Sequence, residues 1–209
     1  MYENFEKISL EEQERILKVC IAEFSANGYQ QASTNAIVKQ AGIPKGTLFY
    51  YFGSKKDLYL YVLDNAIRQF ARRYTEMAGE MPPDLFERLL HRGRVKFRFA
   101  AEEPELFQLF YDAFINTPQE IQAELRIRAG GYAASSEDRL MDGLDLSRFR
   151  EGVDVNKVVA LIQLMLDGLL NKYLGAFRKM TPDEALVLVE RINQEAKEYF
   201  QLIQKGIYR

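Results

Sequence analysis

Apolar side chains recur with a helical period along most of the chain, and no stretch alternates between apolar and polar residues as a half-buried strand would. Prolines at positions 82, 83, 104, 118 and 182 each precede a run of helix-forming residues, which is typical of a helix start. The pattern therefore predicts an all-α protein. We expect long helices over about residues 54–78, 84–101, 104–116, 118–140, 156–178 and 182–205, and a longer loop over 143–154.

The segment from residue 33 to residue 52 predicts two short helices joined by a sharp turn. Ser33 and Thr34 can cap the first helix, and its apolar positions follow at helical spacing. Gly42 can end this helix because glycine adopts a left-handed backbone without a side-chain clash. Pro44 then fixes the direction of the chain close to the next helix start. These residues predict two helices that cross sharply.

The second short helix, over about residues 45–51, exposes a polar and aromatic face. It is too short to be stable alone, so Leu48 and Phe52 must pack against neighbouring helices. The opposite face offers a cation, a glycine backbone, a hydroxyl group and aromatic rings, which suit a groove lined by phosphates. This face consists of Lys45, Gly46, Thr47, Phe49, Tyr50 and Tyr51.

A third helix start follows directly. Ser54 can cap it, and Lys55 and Lys56 occupy its first turn, where the helix dipole disfavours cations. An external anion such as a phosphate group would explain these two lysines. Together the three segments predict a helix-turn-helix that reads DNA.

Residues from about 15 to 63 closely resemble the DNA-binding domain of the tetracycline-repressor (TetR) family of bacterial one-component regulators. Two positions depart from the family pattern: Val38 stands where the family often has alanine, and Phe49 stands where it commonly has a tyrosine that touches phosphate. The matching segments are Ala22-Glu23-Phe24, Asn27-Gly28-Tyr29, Ser33-Thr34, Ala41-Gly42-Ile43, Lys45-Gly46-Thr47-Leu48-Phe49-Tyr50-Tyr51-Phe52 and Ser54-Lys55-Lys56-Asp57-Leu58.

The resemblance implies two domains. Residues 1–54 would form a three-helix DNA-binding domain with the helix-turn-helix, and residues 55–209 a helical bundle for ligand binding and dimerisation. The helix that starts near Asp57 contains neither proline nor glycine before Gly79. By analogy with the family, it would carry a ligand-induced movement to the recognition helix.

The resemblance also implies a function, that of a sequence-specific DNA-binding transcriptional regulator. We expect a repressor that a small hydrophobic effector releases from a palindromic operator; the alternative is a helical protein-interaction or lipid-binding module that keeps the helix-turn-helix as scaffold. Thr34 and Lys55 would hold phosphates, Lys45 and Thr47 would approach bases, and the tyrosines would brace the DNA backbone. The predicted DNA-binding residues are Thr34, Lys45, Gly46, Thr47, Tyr50, Tyr51 and Lys55.

Two amphipathic helices near the end of the chain have broad apolar faces. The family forms dimers through a four-helix contact, so we expect these helices to form a homodimer interface. The alternative is that they only complete the core of one subunit. The predicted interface residues are Leu161, Met165, Gly168, Leu169, Val189, Ile192, Ala196 and Tyr199.

Aromatic residues are concentrated in the middle of the chain. An aromatic stripe at helical spacing usually fills a core, but the same region encloses an effector in the resembled family, and a pocket is therefore the second interpretation. The candidate ligand-binding residues are Arg94, Phe97, Phe107, Phe110, Tyr111, Phe114, Tyr132 and Met165.

Composition restricts the class of protein. The chain has 209 residues, of which 47% are hydrophobic and 28% charged, and this excludes a disordered tail. The net charge of −2 excludes a generic polycation, but residues 32–58 contain four lysines and only one acid, Asp57. The most apolar stretch, residues 158–170, is too short to span a bilayer, and no signal peptide is evident. The single Cys20 lies among apolar residues and predicts a buried thiol in a reducing cytoplasm rather than a redox sensor.

Catalysis is not expected. A di-metal helical bundle needs paired Glu-x-x-His motifs, whereas the only histidine, His91, follows Glu87 by four residues. Residues 42–47 read Gly-Ile-Pro-Lys-Gly-Thr, which lacks the spacing of a nucleotide-binding loop. We therefore predict no catalytic residues, no metal site and no cofactor.

Overall fold

The computed structural model describes residues 2–114, 117–177 and 181–208. Most of these residues are helical, and the only β pairing among them is an isolated bridge between Phe149 and Tyr208. The all-α prediction is confirmed. The helices are α1 (Glu3–Glu6), α2 (Leu10–Gln31), α3 (Thr34–Ala41), α4 (Lys45–Phe52), α5 (Lys55–Ala78), α6 (Leu85–Glu102), α7 (Pro104–Phe114), α8 (Gln122–Met141), α9 (Val155–Phe177) and α10 (Pro182–Ile207).

The long helices lie where periodicity places them, and several of their ends differ by a few residues from the prediction. The predicted ends at residues 116 and 178 lie outside the described residues. The prediction of one helix over 118–140 was wrong at its start, because Gln119–Ile121 is a 3-10 turn that precedes α8. Its tighter ring is closed by the Ile121 N–H, which donates to the Pro118 carbonyl at 3.2 Å. The predicted loop over 143–154 contains a further 3-10 turn, Leu146–Arg148, whose cap is the Asp145 carboxylate.

The chain divides into two compact units. The first comprises residues 1–73 and 103–127, and the second comprises residues 74–102 and 128–209. Helices α5 and α8 each supply residues to both units. The functional boundary that we place between residues 54 and 55 remains a prediction.

The core of the first unit is formed by side chains from α1 to α5, from α7 and from the start of α8. Ile16, Cys20 and Phe24 of α2 are completely buried, as is Tyr59 of α5. Burial raises the pKa of the Cys20 thiol to about 12, so it stays protonated at neutral pH. The prediction that Cys20 is a core thiol is therefore confirmed.

The second unit contains a buried guanidinium group. Arg88 is 1% exposed and donates to the carbonyl oxygens of Leu140 (2.8 Å), Asp142 (2.6 Å) and Gly143 (3.2 Å). Its Nε also donates to the Pro82 carbonyl at 2.6 Å. The side chain thereby satisfies carbonyl groups at the end of α8, which have no partner within that helix.

No helix among the described residues combines the length and apolar character that crossing a bilayer requires.

Candidate nucleic-acid interface

Helix α3 and the turn that ends it have the predicted geometry. The Ser33 hydroxyl accepts a hydrogen bond from the Ala36 N–H at 3.3 Å, so Ser33 is the cap and Thr34 is the first helical residue. Gly42 ends α3 in the left-handed conformation, with φ 65° and ψ 34°. The Ile43 N–H then donates back to the Val38 carbonyl at 3.1 Å, which closes the turn.

Helix α4 is held by the two side chains that the sequence identified. Leu48 is 1% exposed and Phe52 is 3% exposed. Pro44 precedes the helix in an extended conformation, with φ −63° and ψ 146°. Since this buried stripe faces the other helices, the opposite side of α4 is left for a partner.

The opposite side of α4 carries several of the predicted DNA contacts. Lys45 and Gly46 are exposed, Thr47 is half-buried, and Tyr50 is 68% exposed. The Lys45 ammonium lies 6.0 Å from the centroid of the Phe49 ring. A Cβ atom added at Gly46 would meet no atom within 4 Å, so this part of the helix backbone is open to an approaching molecule.

Tyr51, by contrast, is half-buried. Its ring lies against Phe5 of α1, with 5.6 Å between the centroids. This contact could not be predicted from the sequence, because a four-residue helix such as α1 is too short to show an apolar period.

The lysines at the start of α5 have partners within the chain, which sequence analysis did not anticipate. Lys55 Nζ donates to the Gln30 carbonyl at 2.9 Å and lies 5.3 Å from the centroid of the Tyr29 ring. Lys56 Nζ contacts the Glu124 carboxylate at 2.9 Å, and this neighbour raises the pKa of Lys56. These partners explain both cations without an external anion, so the role of Lys55 in binding phosphate remains a prediction.

The starts of α3 and α5 are both capped. At α3, the Ser33 N–H donates to the Glu23 carboxylate at 2.7 Å, next to the phosphate contact predicted for Thr34. At α5, the Ser54 hydroxyl accepts from the Asp57 N–H at 3.1 Å, as expected for a cap. A phosphate at Thr34 would therefore lie near a carboxylate, which makes Thr34 a weaker candidate than the residues of α4.

The candidate ligand-binding residues belong to different units. Arg94, Phe97 and Met165 are in the second unit, and the Tyr132 side chain lies outside the described residues. Phe107, Phe110, Tyr111 and Phe114 lie on α7 in the first unit; Phe110 stacks on Phe114 with centroids 6.3 Å apart.

Arg94 lies in polar surroundings. It is exposed and lines an open groove of about 150 Å³ between α6 and α10, next to Glu190, Asn193 and Lys197. None of these neighbours is among the predicted ligand residues. The effector pocket therefore remains a prediction.

The predicted dimer residues differ in burial. Leu169, Ile192 and Ala196 are buried within the second unit, Met165 and Val189 are half-buried, and Leu161, Gly168 and Tyr199 are exposed. The structure adds three exposed apolar residues that sequence analysis missed: Leu164 (71% exposed), Val187 (74%) and Leu202 (63%). They were missed because periodicity identifies an apolar stripe but not the part of it that the subunit's own core leaves uncovered.

The histidine considered for a metal site has an ordinary structural partner. His91 Nε2 lies 2.8 Å from the Ala78 carbonyl oxygen. Within the described residues, no group of three His, Cys, Asp or Glu side chains is placed to hold a metal ion.

Comparison with known proteins supports the helix-turn-helix. Residues 16–62 match the family model described as bacterial regulatory proteins, tetR family. The fatty acid metabolism regulator protein of Bacillus subtilis (strain 168) is 26% identical over 151 residues, which cover 68% of this chain and 72% of that protein. The matched segment contains α3, α4 and the start of α5. Residues 16–62 thus form a DNA-binding domain of the tetR family type.

Solved structures of bacterial transcriptional regulators share the fold over most of the chain. A TetR family transcriptional regulator from Chloroflexus aurantiacus has a TM-score of 0.53 and 24% identity, covering 99% of this chain and 98% of its own. The FadR regulator of Bacillus subtilis, solved in complex with stearoyl-CoA, has a TM-score of 0.55 and 20% identity, covering 88% and 96%. These structures show the shared fold. The family match over residues 16–62 identifies a DNA-binding transcriptional regulator, and the exposed side of α4 is its candidate DNA surface.

Proposed function

We propose that this regulator is a cytoplasmic repressor that binds a palindromic operator as a homodimer and leaves it when a small hydrophobic effector binds. The observation that carries the proposal is the exposed side of α4, held outward by the buried Leu48 and Phe52. A cation, an open glycine backbone, a hydroxyl and a phenol lie together there, and each is suited to a groove lined by phosphates and base edges.

The residues of the interface have separate roles. Thr47 and Lys45 face base edges, where a short hydroxyl side chain and a flexible cation can discriminate between base pairs. Gly46 lets the phosphate backbone approach α4 closely, and Tyr50 and Tyr51 contact phosphates. Lys55 and Thr34 add contacts at the starts of α5 and α3.

Dimerisation is supported by the exposed apolar surface of α9 and α10. Leu161 and Leu164 lie about 60° apart around α9, and Val187, Tyr199 and Leu202 fall within about 120° of one another around α10. Exposed apolar residues that share one side of a helix indicate an interface rather than a solvated surface. Two copies joined there would present two recognition helices to successive major grooves of a palindrome.

The proposed class of effector is suggested by the compounds named for two similar regulators. The Bacillus subtilis FadR structure contains stearoyl-CoA, and the relative from the same species is a regulator of fatty acid metabolism. Long-chain acyl thioesters are therefore the first compounds to test, with free fatty acids and aromatic acids as comparisons.

Selection of random duplex DNA tests the DNA-binding role. The protein would be incubated with the duplex pool at two salt concentrations, and the bound fraction sequenced. We expect an enriched inverted repeat that is lost in a Tyr51→Ala, Lys55→Ala double variant. Enrichment of no sequence at either salt concentration would contradict the operator and favour the interaction-module alternative.

Two single variants then separate phosphate contacts from base contacts. Lys55→Ala should weaken binding to all sequences alike and reduce the slope of log affinity against log salt by about one unit. Thr47→Ala should change which sequences are enriched. Equal loss of affinity for every sequence on Thr47→Ala would refute its base-reading role.

Release from the enriched duplex tests the effector class. Stearoyl-CoA, stearate and coenzyme A would each be added to the complex, and DNA dissociation followed by fluorescence anisotropy. Release by stearoyl-CoA alone would support an acyl thioester effector, and release by none of the three would contradict it.

A further inference from the structure

The short helix α1 packs against the recognition helix through one phenylalanine. Phe5 is completely buried. Its ring centroid lies 5.6 Å from that of Tyr51, 4.7 Å from that of Phe52 and 5.4 Å from that of Tyr61. Phe5 therefore joins the end of α4 to the first turns of α5.

Both ends of the α1 segment are fixed. On one side the Tyr2 ring lies 4.7 Å from Tyr61, and the Tyr2 hydroxyl donates to the Asp57 carbonyl at 3.4 Å. On the other side Gln13 Nε2 donates to the Ile8 carbonyl at 2.9 Å and to the Glu6 carbonyl at 3.3 Å. Because the segment is held on each side, the Phe5 ring is fixed in place, and the Tyr51 ring packs against it.

The two neighbouring tyrosines of α4 differ in this respect. Tyr50 is 68% exposed, and its ring centroid lies 6.0 Å from that of Tyr51. Tyr51 is half-buried and also meets Phe5 edge-on, with 61° between the ring planes. A side chain held in one rotamer before binding loses less conformational freedom when it meets its partner. Tyr51 is thus the preorganised phenol of the pair.

We propose that Phe5 is a positioning residue for DNA binding: it holds the Tyr51 ring in the orientation from which the phenol reaches the DNA backbone. The inference rests on the DNA contact proposed above for Tyr51. It gives α1, which lies outside the family-matched residues 16–62, a role in binding.

A double-mutant cycle on DNA affinity tests the inference. The variants are Phe5→Leu, Tyr51→Phe, which removes only the hydroxyl, and their combination. Phe24→Leu is the matched control: Phe24 is also completely buried, but its ring contacts Tyr59, at 4.9 Å, rather than Tyr51. A backbone contact does not depend on sequence, so the probe is a fluorescein-labelled random-sequence duplex at low ionic strength. Each variant is assayed where circular dichroism shows it fully folded.

We expect Phe5→Leu and Phe24→Leu to lower the urea midpoint of unfolding similarly, while only Phe5→Leu weakens DNA binding. The loss should be about fivefold, the scale of one hydrogen bond. In the Tyr51→Phe background, Phe5→Leu should have no further effect.

Two results would overturn the inference. If Phe5→Leu weakened binding equally in both backgrounds, Phe5 would not act through the Tyr51 hydroxyl; if Phe24→Leu weakened binding as much, the effect would be one of stability. A third result, unchanged affinity in Tyr51→Phe, would refute the proposed Tyr51 contact itself and the inference with it.

Discussion

Burial controls the ionisation of three side chains in the first unit. It raises the pKa of Tyr59 well above its usual value, and the pKa of Cys20 to about 12. The pKa of Tyr29 also rises to about 12, first through burial and then through a hydrogen bond to Glu120. In each case the folded protein keeps the neutral form at a pH where the unfolded chain has lost the proton.

The sign of the resulting pH dependence is fixed. An unfolded thiol ionises near pH 8.5 and an unfolded phenol near pH 10. Above these values the unfolded chain binds fewer protons than the folded one, so the free energy of unfolding decreases as pH rises towards about 12. Urea unfolding between pH 8 and pH 11.5 should show a plateau followed by this decline.

Tyr59→Phe isolates one of these groups. Its hydroxyl is buried and has no hydrogen-bond partner among the described residues, so its removal should raise the free energy of unfolding at pH 7 by about 1 kcal/mol. Above pH 10 the variant should lose stability less steeply than the parent, by up to about 1.4 kcal/mol per pH unit. If the free energy of unfolding of the two proteins fell equally with pH, ionisation of Tyr59 would not contribute to the decline.

The sequence predicts the burial of a residue where helical spacing determines it. It does not predict a contact with a residue that is distant along the chain. Leu48 and Phe52 were identified because a short helix has one side on which to pack. The partners of Lys55 and Lys56 could not be inferred, because Gln30 and Glu124 lie 25 and 68 positions away along the chain. Buried Arg88 was missed for a similar reason: an arginine in an amphipathic helix resembles a solvated cation until its carbonyl partners are known.

At the scale of an element, the two glycines of the helix-turn-helix have opposite functions. Gly42 takes a left-handed backbone, with φ 65°, that other residues adopt only with strain, whereas Gly46 lies inside α4 with open space around it. Gly42 is required by the backbone conformation of the turn. Gly46 weakens its helix, so its presence is better explained by close approach of the DNA backbone to α4.

Alanine substitutions should separate these functions. Gly46→Ala should raise the free energy of unfolding by up to about 1 kcal/mol through helix propensity. It should nevertheless weaken binding to duplex DNA about tenfold, because the new methyl group keeps the phosphate backbone away. Gly42→Ala, the control, should lower the free energy of unfolding by about 1–2 kcal/mol.

Thermal unfolding and anisotropy titrations on the same preparations would measure both quantities. Unchanged DNA affinity in Gly46→Ala would mean that no DNA backbone approaches α4 at this residue.

The sequence predicted the turn and both short helices correctly, since capping and glycine chemistry are local. It missed α1, whose position depends on packing against α4.

At the scale of the whole molecule, the proposed dimer interface on the exposed apolar side of α9 and α10 leads to a prediction about the oligomeric state. Leu164→Lys should raise the dimer dissociation constant at least about tenfold, because an unpaired ammonium group would be buried at the interface. Ile127→Lys is the matched control: Ile127 is 76% exposed but lies on α8 in the first unit. Sedimentation equilibrium of the two variants and the parent would measure the constants.

The dimer variant should also lose DNA affinity, since a single recognition helix contacts one half-site. A dissociation constant for Leu164→Lys equal to that of Ile127→Lys would exclude this surface as the interface.

The all-α class and the amphipathic helices could be predicted from the sequence. Which apolar residues of these helices are exposed could not, because exposure depends on which part of each apolar stripe the subunit itself covers.

The burial of Cys20 also gives the regulator a practical property. It is the only cysteine in the chain, and it is completely enclosed with a thiol that stays protonated at neutral pH. Maleimide reagents should therefore find no target on the folded protein. A Tyr50→Cys variant would accept a nitroxide spin label on α4 alone. Pulsed electron resonance could then read the spacing of the two labels in a dimer, with and without stearoyl-CoA, in the otherwise native chain.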